Sequence, residues 1–233
     1  MKRIISIGGG EIRNKTTLKI DEYIANLAKL HAGEKRANAL FIGTASHDSM
    51  PYFNSFRKTY TSVFDIKAEV ALMVYGEMDI GKIKGKIENA DAIYIGGGDT
   101  MYMIAKWKEL GVDKMLFDAY EKGTIIAGLS AGAICWFTDM YTDSEMMAGG
   151  DDYVLRKGLG ILEGLMTPHY NERVIDFDQT FLTSNFEKAY AIENDCAVEF
   201  VDGVMTGAIS AGGSAYILEK ENGIIKKTKI NEL

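Results

Sequence analysis

A short apolar run that stops at glycine, followed by a segment of helical length, recurs four times in the first half of this chain. Lys2 to Ile7 ends at Gly8-Gly9-Gly10, Ala37 to Ile42 at Gly43, Asp91 to Ile95 at Gly96-Gly97-Gly98, and Thr124 to Ala127 at Gly128. A further strand-like run, Ile66 to Met73, lies between the second and third. The intervening segments carry helical spacing. Ile20, Ile24, Leu27 and His31 share one face, as do Tyr52, Phe53, Phe56 and Tyr60 behind Pro51, and Ile80, Ile83 and Ile87. Asp99 or Thr100 is placed to cap a helix through Met103, Trp107 and Leu110, and Val112 to Tyr120 predicts another. Strands alternating with helices imply an α/β fold, three layers of α/β/α around a mostly parallel sheet. Ligands of such sheets bind beyond the carboxyl ends of the strands. Small residues at four such ends imply a mouth where backbone approaches closely.

The second half reads differently. Thr138 to Lys157 is polar and acidic and is expected to be a loop beside the site, serving as a lid or simply as a solvated surface. Leu159 to Met166 leads to Thr167-Pro168-His169, and Val174 to Phe186 predicts a helix. Tyr190 to Ile192, Ala197 to Val201, Ala215 to Glu219 and Ile224 to Thr228 predict short strands, with turns at Asp202-Gly203 and Asn222-Gly223. This part is expected to be antiparallel and to continue one edge of the sheet. No linker-like or repeated segment divides residues 1–233, so a single domain is expected.

Composition narrows the function classes. A net charge of −7 with no basic cluster longer than Lys226-Lys227 argues against nucleic acid and anionic membrane as partners. No apolar run reaches the roughly 20 residues needed to span a bilayer. The first apolar run is too short for a secretory leader, so a cytoplasmic location is expected. Cys135 and Cys196 form neither a disulfide framework nor a metal cluster. The expected state is a monomer or homodimer.

The chemistry concentrates at Gly128-Leu129-Ser130-Ala131-Gly132. This is G-x-S-x-G between a strand and an apolar run of helical length, the context in which a serine is raised on a strained turn. The plain alternative is a glycine-rich turn that seats a helix closely on a sheet. Nucleotide readings are weaker: Gly8-Gly9-Gly10 has Arg13, and Gly96-Gly97-Gly98 has Met101, where G-x-G-x-x-G needs glycine. No metal and no cofactor are expected, since His31, His47 and His169 lack metal-ligand spacing. As base for the serine, His169 is preferred over His47 because it follows a strand end behind Pro168. His31, on an apolar helix face, is expected to be packed. Glu193 and Asp195 are the downstream acids able to orient the base. The amide of Ala131 and the Gly97–Gly98 turn are candidate donors for an oxyanion.

The segments YIGGGDT, GLSAGAICWF and TPHYNER together resemble the serine peptidases of the peptidase E and cyanophycinase family (family S51), whose fold is class I glutamine amidotransferase-like. The resemblance runs from the first strand to ENDCAVEF. It implies Ser130 as nucleophile, His169 as base, an oxyanion hole from Gly97, Gly98 and Ala131, and hydrolysis of aspartyl peptides without metal or cofactor. Two departures stand out. The family's glutamate after the histidine falls on Asn194, with Glu193 one place early; neighbouring strand residues face opposite ways, so only one can meet His169. Glu193 is the expected acid, with Asn194 as the alternative. The stretch after His169 is also short, which leaves Arg173 as the candidate for binding a substrate carboxylate, or as a solvated charge in the first turn of a helix. The leading expectation is a small-peptide hydrolase. The rivals are a non-catalytic relative that binds a ligand or partner, and an acyl hydrolase with another substrate.

Overall fold

A computed structural model describes residues 1–75, 79–147 and 149–233. The first half follows the expected alternation: β1 (Arg3–Ile7), α1 (Leu18–Ala32), β2 (Asn38–Ile42), a 3-10 turn (Thr44–Ser46), α2 (Met50–Ser62), β3 (Lys67–Ala71), α3 (Ile80–Glu88), β4 (Ala92–Ile95), α4 (Thr100–Leu110), α5 (Val112–Glu121) and β5 (Ile125–Leu129). The remainder comprises α6 (Ala131–Ile134), β6 (Phe137–Thr142), α7 (Ser144–Met147), β7 (Val154–Lys157), β8 (Leu162–Thr167), α8 (Tyr170–Thr183), β9 (Lys188–Ile192), β10 (Cys196–Val201), β11 (Val204–Ser210), β12 (Ala215–Glu221) and β13 (Ile224–Lys229). Asp99 caps α4, its carboxylate accepting from the N–H groups of Met101 and Tyr102 at 3.0 and 3.1 Å.

The fold is mixed α/β with two sheets. The first has the order β11-β10-β1-β5-β4-β2-β3, and β1 to β5 pair in parallel. β1, β2, β4 and β5 are buried on both faces, which is why they read as continuous apolar runs. Ile5, Ile7, Phe41, Tyr94 and Ala127 face α1 and α2 through Ile24, Phe53, Phe56 and Tyr60. Ile4, Leu40, Ile42, Ile93 and Ile95 face the other way, toward Trp107 of α4 and Leu116 of α5.

The expected antiparallel edge exists, but only β10 and β11 form it. The remaining strands build a second sheet of order β13-β12-β9-β8-β6-β7, with β6, β8 and β9 parallel. Phe137, Met140, Leu162 and Met166 on its inner face join the same core as Trp107. Its outer face carries α8 on Tyr141, Leu165 and Leu218. One layer of the sandwich is therefore part helix and part sheet.

Two expectations fail here for one reason. The apolar run after Ser130 is a helix only as far as Ile134; Cys135 and Trp136 form a turn, and Phe137 begins β6. A fully buried strand shows no alternation, so periodicity cannot separate it from a buried helix. The expected loop from 138 to 157 is largely the β6–β7 pair around the short α7, with Met140 and Tyr141 fully buried and Asp139 bonded across the strands to Lys157 at 2.6 Å. Residue 148 of that segment lies outside the described residues. The two Asx-Gly turns hold: Asp202 and Gly203, like Asn222 and Gly223, all take positive φ, as the favoured two-residue hairpin requires.

Candidate active site

Ser130 stands between β5 and α6 with φ 53° and ψ −108°. A non-glycine residue held there stores about 1–3 kcal/mol of strain, which the surrounding bonds must hold in place. The Ser130 N–H donates to the Ile7 carbonyl at 2.9 Å, and the N–H groups of Ala133 and Ile134 donate back to the Ser130 carbonyl at 2.9 and 3.0 Å. Both glycines of the motif are required by contact. A Cβ on Gly128 would lie 2.0 Å from the Gly132 carbonyl oxygen, and one on Gly132 would lie 2.3 Å from that of Ile95.

His169 follows β8 and precedes α8, in a left-handed conformation with φ 49° and ψ 36°. Its Nε2 lies 2.8 Å from Ser130 Oγ, and its Nδ1 lies 2.6 Å from Asn194 Oδ1. Hydrogen-bond partners fix the protons. Asn194 Nδ2 donates to Glu172 Oε1 at 2.5 Å, because a carboxylate only accepts, so Oδ1 faces the ring. Nδ1 then carries the hydrogen, and Nε2 presents a lone pair to the serine hydroxyl. Burial, and next to it the positive charge of Arg173, holds the imidazole below its ordinary 6.5, against smaller raising effects of Asn194, Glu172 and Asp143. The ring is thus neutral near pH 7, as a proton acceptor must be.

Glu193 does not reach the histidine, which corrects the expectation. Its Oε2 accepts the Ser214 N–H at 2.8 Å, and its own N–H donates to the Ser214 carbonyl at 3.0 Å. β9 ends at Ile192, and residues 193 to 195 form a turn, with Asp195 at φ 57°. The turn presents Asn194 to His169 and sends Asp195 toward Thr16, whose hydroxyl donates to it at 2.6 Å. Arg173 occupies neither expected position. It is buried, stacked 4.5 Å from the Tyr153 ring centre and bonded through Nη2 to Asp143 Oδ2 at 2.8 Å. Asp143, not Arg173, reaches the cleft wall. His47 is exposed against Tyr102 and is not among the residues lining the cleft. His31 is not packed in the core; it meets Asp91 at 3.0 Å on the surface.

The cleft, about 450 Å³, is lined by Ser130 and His169, the Gly97–Gly98 turn, Tyr52 and Pro51 of α2, Glu11 and Arg13, and Asp143. Gly98 has φ 137°, and its would-be Cβ lies 2.2 Å from the Ala45 carbonyl oxygen, so only glycine fits there. Gly97 approaches the Ser130 Cβ with its own Cβ position at 3.3 Å. Tyr52 lines the same cleft wall as the Gly97–Gly98 turn. Among the described residues, neither the Gly98 nor the Ala131 N–H donates to another group. Gly8 and Gly9 serve a different purpose from the expected ligand mouth. A Cβ on Gly9 would lie 2.0 Å from Asn194 Oδ1 and 2.4 Å from His169 Nδ1. This bare backbone makes room for the histidine–asparagine pair. Among the described residues, no group of His, Cys, Asp and Glu side chains is placed to hold a metal ion.

Sequence reasoning missed Glu172, Asp143, Arg13 and Tyr52 as parts of the site. Asp143, Arg13 and Tyr52 lie in no motif; Glu172 lies within TPHYNER, and its spacing, three residues past His169 at the start of a helix, offered a signal.

Comparisons with known proteins bear on the family and the fold. The family model for peptidase family S51 matches residues 4–207. The chain is 32% identical over 222 residues to the uncharacterized peptidase YgaJ of Bacillus subtilis (strain 168), covering 93% of this chain and 91% of that one. It is 26% identical over 189 residues to the uncharacterized peptidase Lmo0363 of Listeria monocytogenes, covering 68% and 92%. Among solved structures, a peptidase from an acI-B1 actinobacterium superposes with a TM-score of 0.65 at 17% identity, over 100% of this chain and 95% of the other. A Listeria monocytogenes EGD-e protein named for peptidase E does so at 0.60 and 18%, over 95% and 100%. At those identities the structures speak for the fold, while the family model and the Bacillus relative speak for descent. The chain belongs to peptidase family S51.

Proposed function

We propose that this peptidase is a serine-type hydrolase that cleaves small aspartyl peptides in the cytoplasm, with Ser130 as nucleophile and His169 as general base. The observation that carries the reading is the unbroken contact Ser130 Oγ to His169 Nε2 at 2.8 Å, on a strained turn that opens into a cleft. Ser130 Oγ attacks the carbonyl carbon as its proton passes to Nε2. The C–O bond polarises toward the N–H groups of Ala131 and Gly98, with Gly97 closing the wall. The imidazolium then returns the proton to the leaving amine, and water repeats the cycle on the acyl-enzyme. The Arg13 guanidinium is exposed on the cleft wall, and among the described residues it is in no ion pair. A cation there suits an acidic peptide. Arg173 contributes from behind, by holding Asp143.

The test uses Asp-Leu and an aspartyl p-nitroanilide beside a Ser130→Ala control. Loss of at least about 10³-fold in kcat is expected, and equal rates would overturn the mechanism. A second reading follows from the neutral amide facing His169: a relative that keeps the elbow for binding alone. A fluorophosphonate probe separates the two. Labelling of Ser130 supports the hydrolase, and absence of label on folded protein supports the binding module.

A further inference from the structure

The site has a charge problem. When His169 takes the serine proton it becomes a cation, yet its Nδ1 partner is a neutral amide rather than a carboxylate. Arg173, a second cation, presses the ring further toward neutrality. A carboxylate in the place of Asn194 would offset both effects, and there is none.

Resting on the serine-hydrolase reading above, we propose that Glu172 is a positioning residue whose negative charge reaches His169 through the Asn194 amide, giving a four-member chain Ser130–His169–Asn194–Glu172. Each link has its own distance: 2.8, 2.6 and 2.5 Å along the chain. Each also has one permitted polarity. The carboxylate accepts from Nδ2, the amide oxygen accepts from Nδ1–H, and Nε2 accepts from the hydroxyl. A negative charge at the Nδ2 end polarises the amide and makes Oδ1 the stronger acceptor, as coupled hydrogen bonds do. No proton leaves Nδ1 or Nδ2. The serine proton goes to Nε2, the new bond is Oγ–C, and no proton passes to Glu172.

Local structure explains how the chain came to be built this way. His169 flanks α8, and Asn171 and Glu172 lie in its first turn. There the unpaired N–H groups of the helix favour a carboxylate. The Glu172 N–H donates to the His169 carbonyl at 2.8 Å, which ties the glutamate to the base's own backbone. Asn171 Oδ1 accepts the Asn194 N–H at 2.9 Å, so one turn of helix grips both ends of the asparagine. Among the described residues, Glu172 is in no ion pair. The charges that act on the ring from the elements around it are Glu172 and Arg173 of α8 and Asp143 of the β6–α7 connection.

The experiment follows His169 directly, by NMR titration of its ring, in the parent protein and in Glu172→Gln, Asn194→Asp and the double variant. Glu172→Gln keeps a hydrogen-bonding group of equal size and removes the charge. Its His169 titration is expected to move to lower pH, with kcat on the aspartyl anilide falling about 3- to 10-fold and KM unchanged. Adding Asn194→Asp, which puts the charge one link closer, is expected to restore kcat and move the titration above that of the parent. The proposal is overturned if Glu172→Gln leaves the titration and kcat where they were. It is equally overturned if Glu172→Gln falls by the same factor with and without Asn194→Asp, since a merely structural role would not be rescued by charge at 194. The ring titration reads the chain of contacts whether or not any peptide is cleaved. Failure here is thus separate from failure of the hydrolase reading, which the fluorophosphonate label on Ser130 reports.

Discussion

At the scale of single residues, catalysis in this protein is expected to depend on how the surroundings hold one imidazole neutral. Burial first, and Arg173 next, lower the affinity of His169 for a proton. Under the proposed mechanism activity needs the neutral ring and is lost as pH falls through its titration, so the acidic limb of kcat/KM is expected below pH 6.5. Arg173→Met removes the cation and leaves Asp143 facing the cleft alone, and both changes favour the imidazolium. The acidic limb is therefore expected to move upward in that variant. A pH–rate profile on protein shown by circular dichroism to be folded checks the direction. Ser130 and His169 were legible from the sequence because a strained turn and a proline-stiffened strand end leave local signatures. Glu193 was misread because its orientation depends on a turn at 193 to 195. That turn is fixed by bonds to Gly9, Asn171 and Ser214, all distant in the chain.

At the scale of elements, the glycines divide by what their missing Cβ would strike. Gly128 faces backbone at 2.0 Å, so Gly128→Ala must open the elbow, at a cost of about 1–3 kcal/mol. A melting temperature lower by several degrees and lost Ser130 labelling are expected in a thermal melt and probe assay. Gly85 sits inside α3 with open space around it, so Gly85→Ala is expected to stabilise by about 0.5–1 kcal/mol and leave activity unchanged. The same melt, run beside a rate assay, measures both. The sequence announced that Gly8-Gly9-Gly10, Gly96-Gly97-Gly98 and Gly128 mattered. It did not announce what each approaches, because glycine records only that space is short. The strand β6 went unread for a related reason: Phe137 to Thr142 is buried on both sides, and burial without alternation carries no period.

At the scale of the whole molecule, one buried carboxyl lies far in sequence from Ser130. Asp21 of α1 is fully buried, accepting from Thr17 at 2.8 Å and Tyr60 at 3.3 Å, and burial pushes its carboxyl up to about 7. The folded state therefore holds this proton more tightly than the unfolded chain, whose value is near 3.8. The contribution to stability is complete below pH 3.8, declines as pH rises toward 7, and is constant above. Asp21→Asn cannot ionise, so urea unfolding at pH 5 and pH 8 is expected to differ less in this variant than in the parent. An equal difference in both proteins would remove Asp21 as the cause. The division between sequence and tertiary structure follows the same line of scale. Local chemistry in the chain determined the parallel α/β half, the elbow, the cap at Asp99 and the Asx-Gly hairpins, because each is settled by neighbours a few residues away. Only the tertiary structure decided the second sheet, the meeting of Ser130 from one sheet with His169 and Asn194 from strand ends of the other, and the choice of Asn194 over Glu193. Those outcomes come from long-range burial and from bonds between segments distant in the sequence, and no local pattern encodes them.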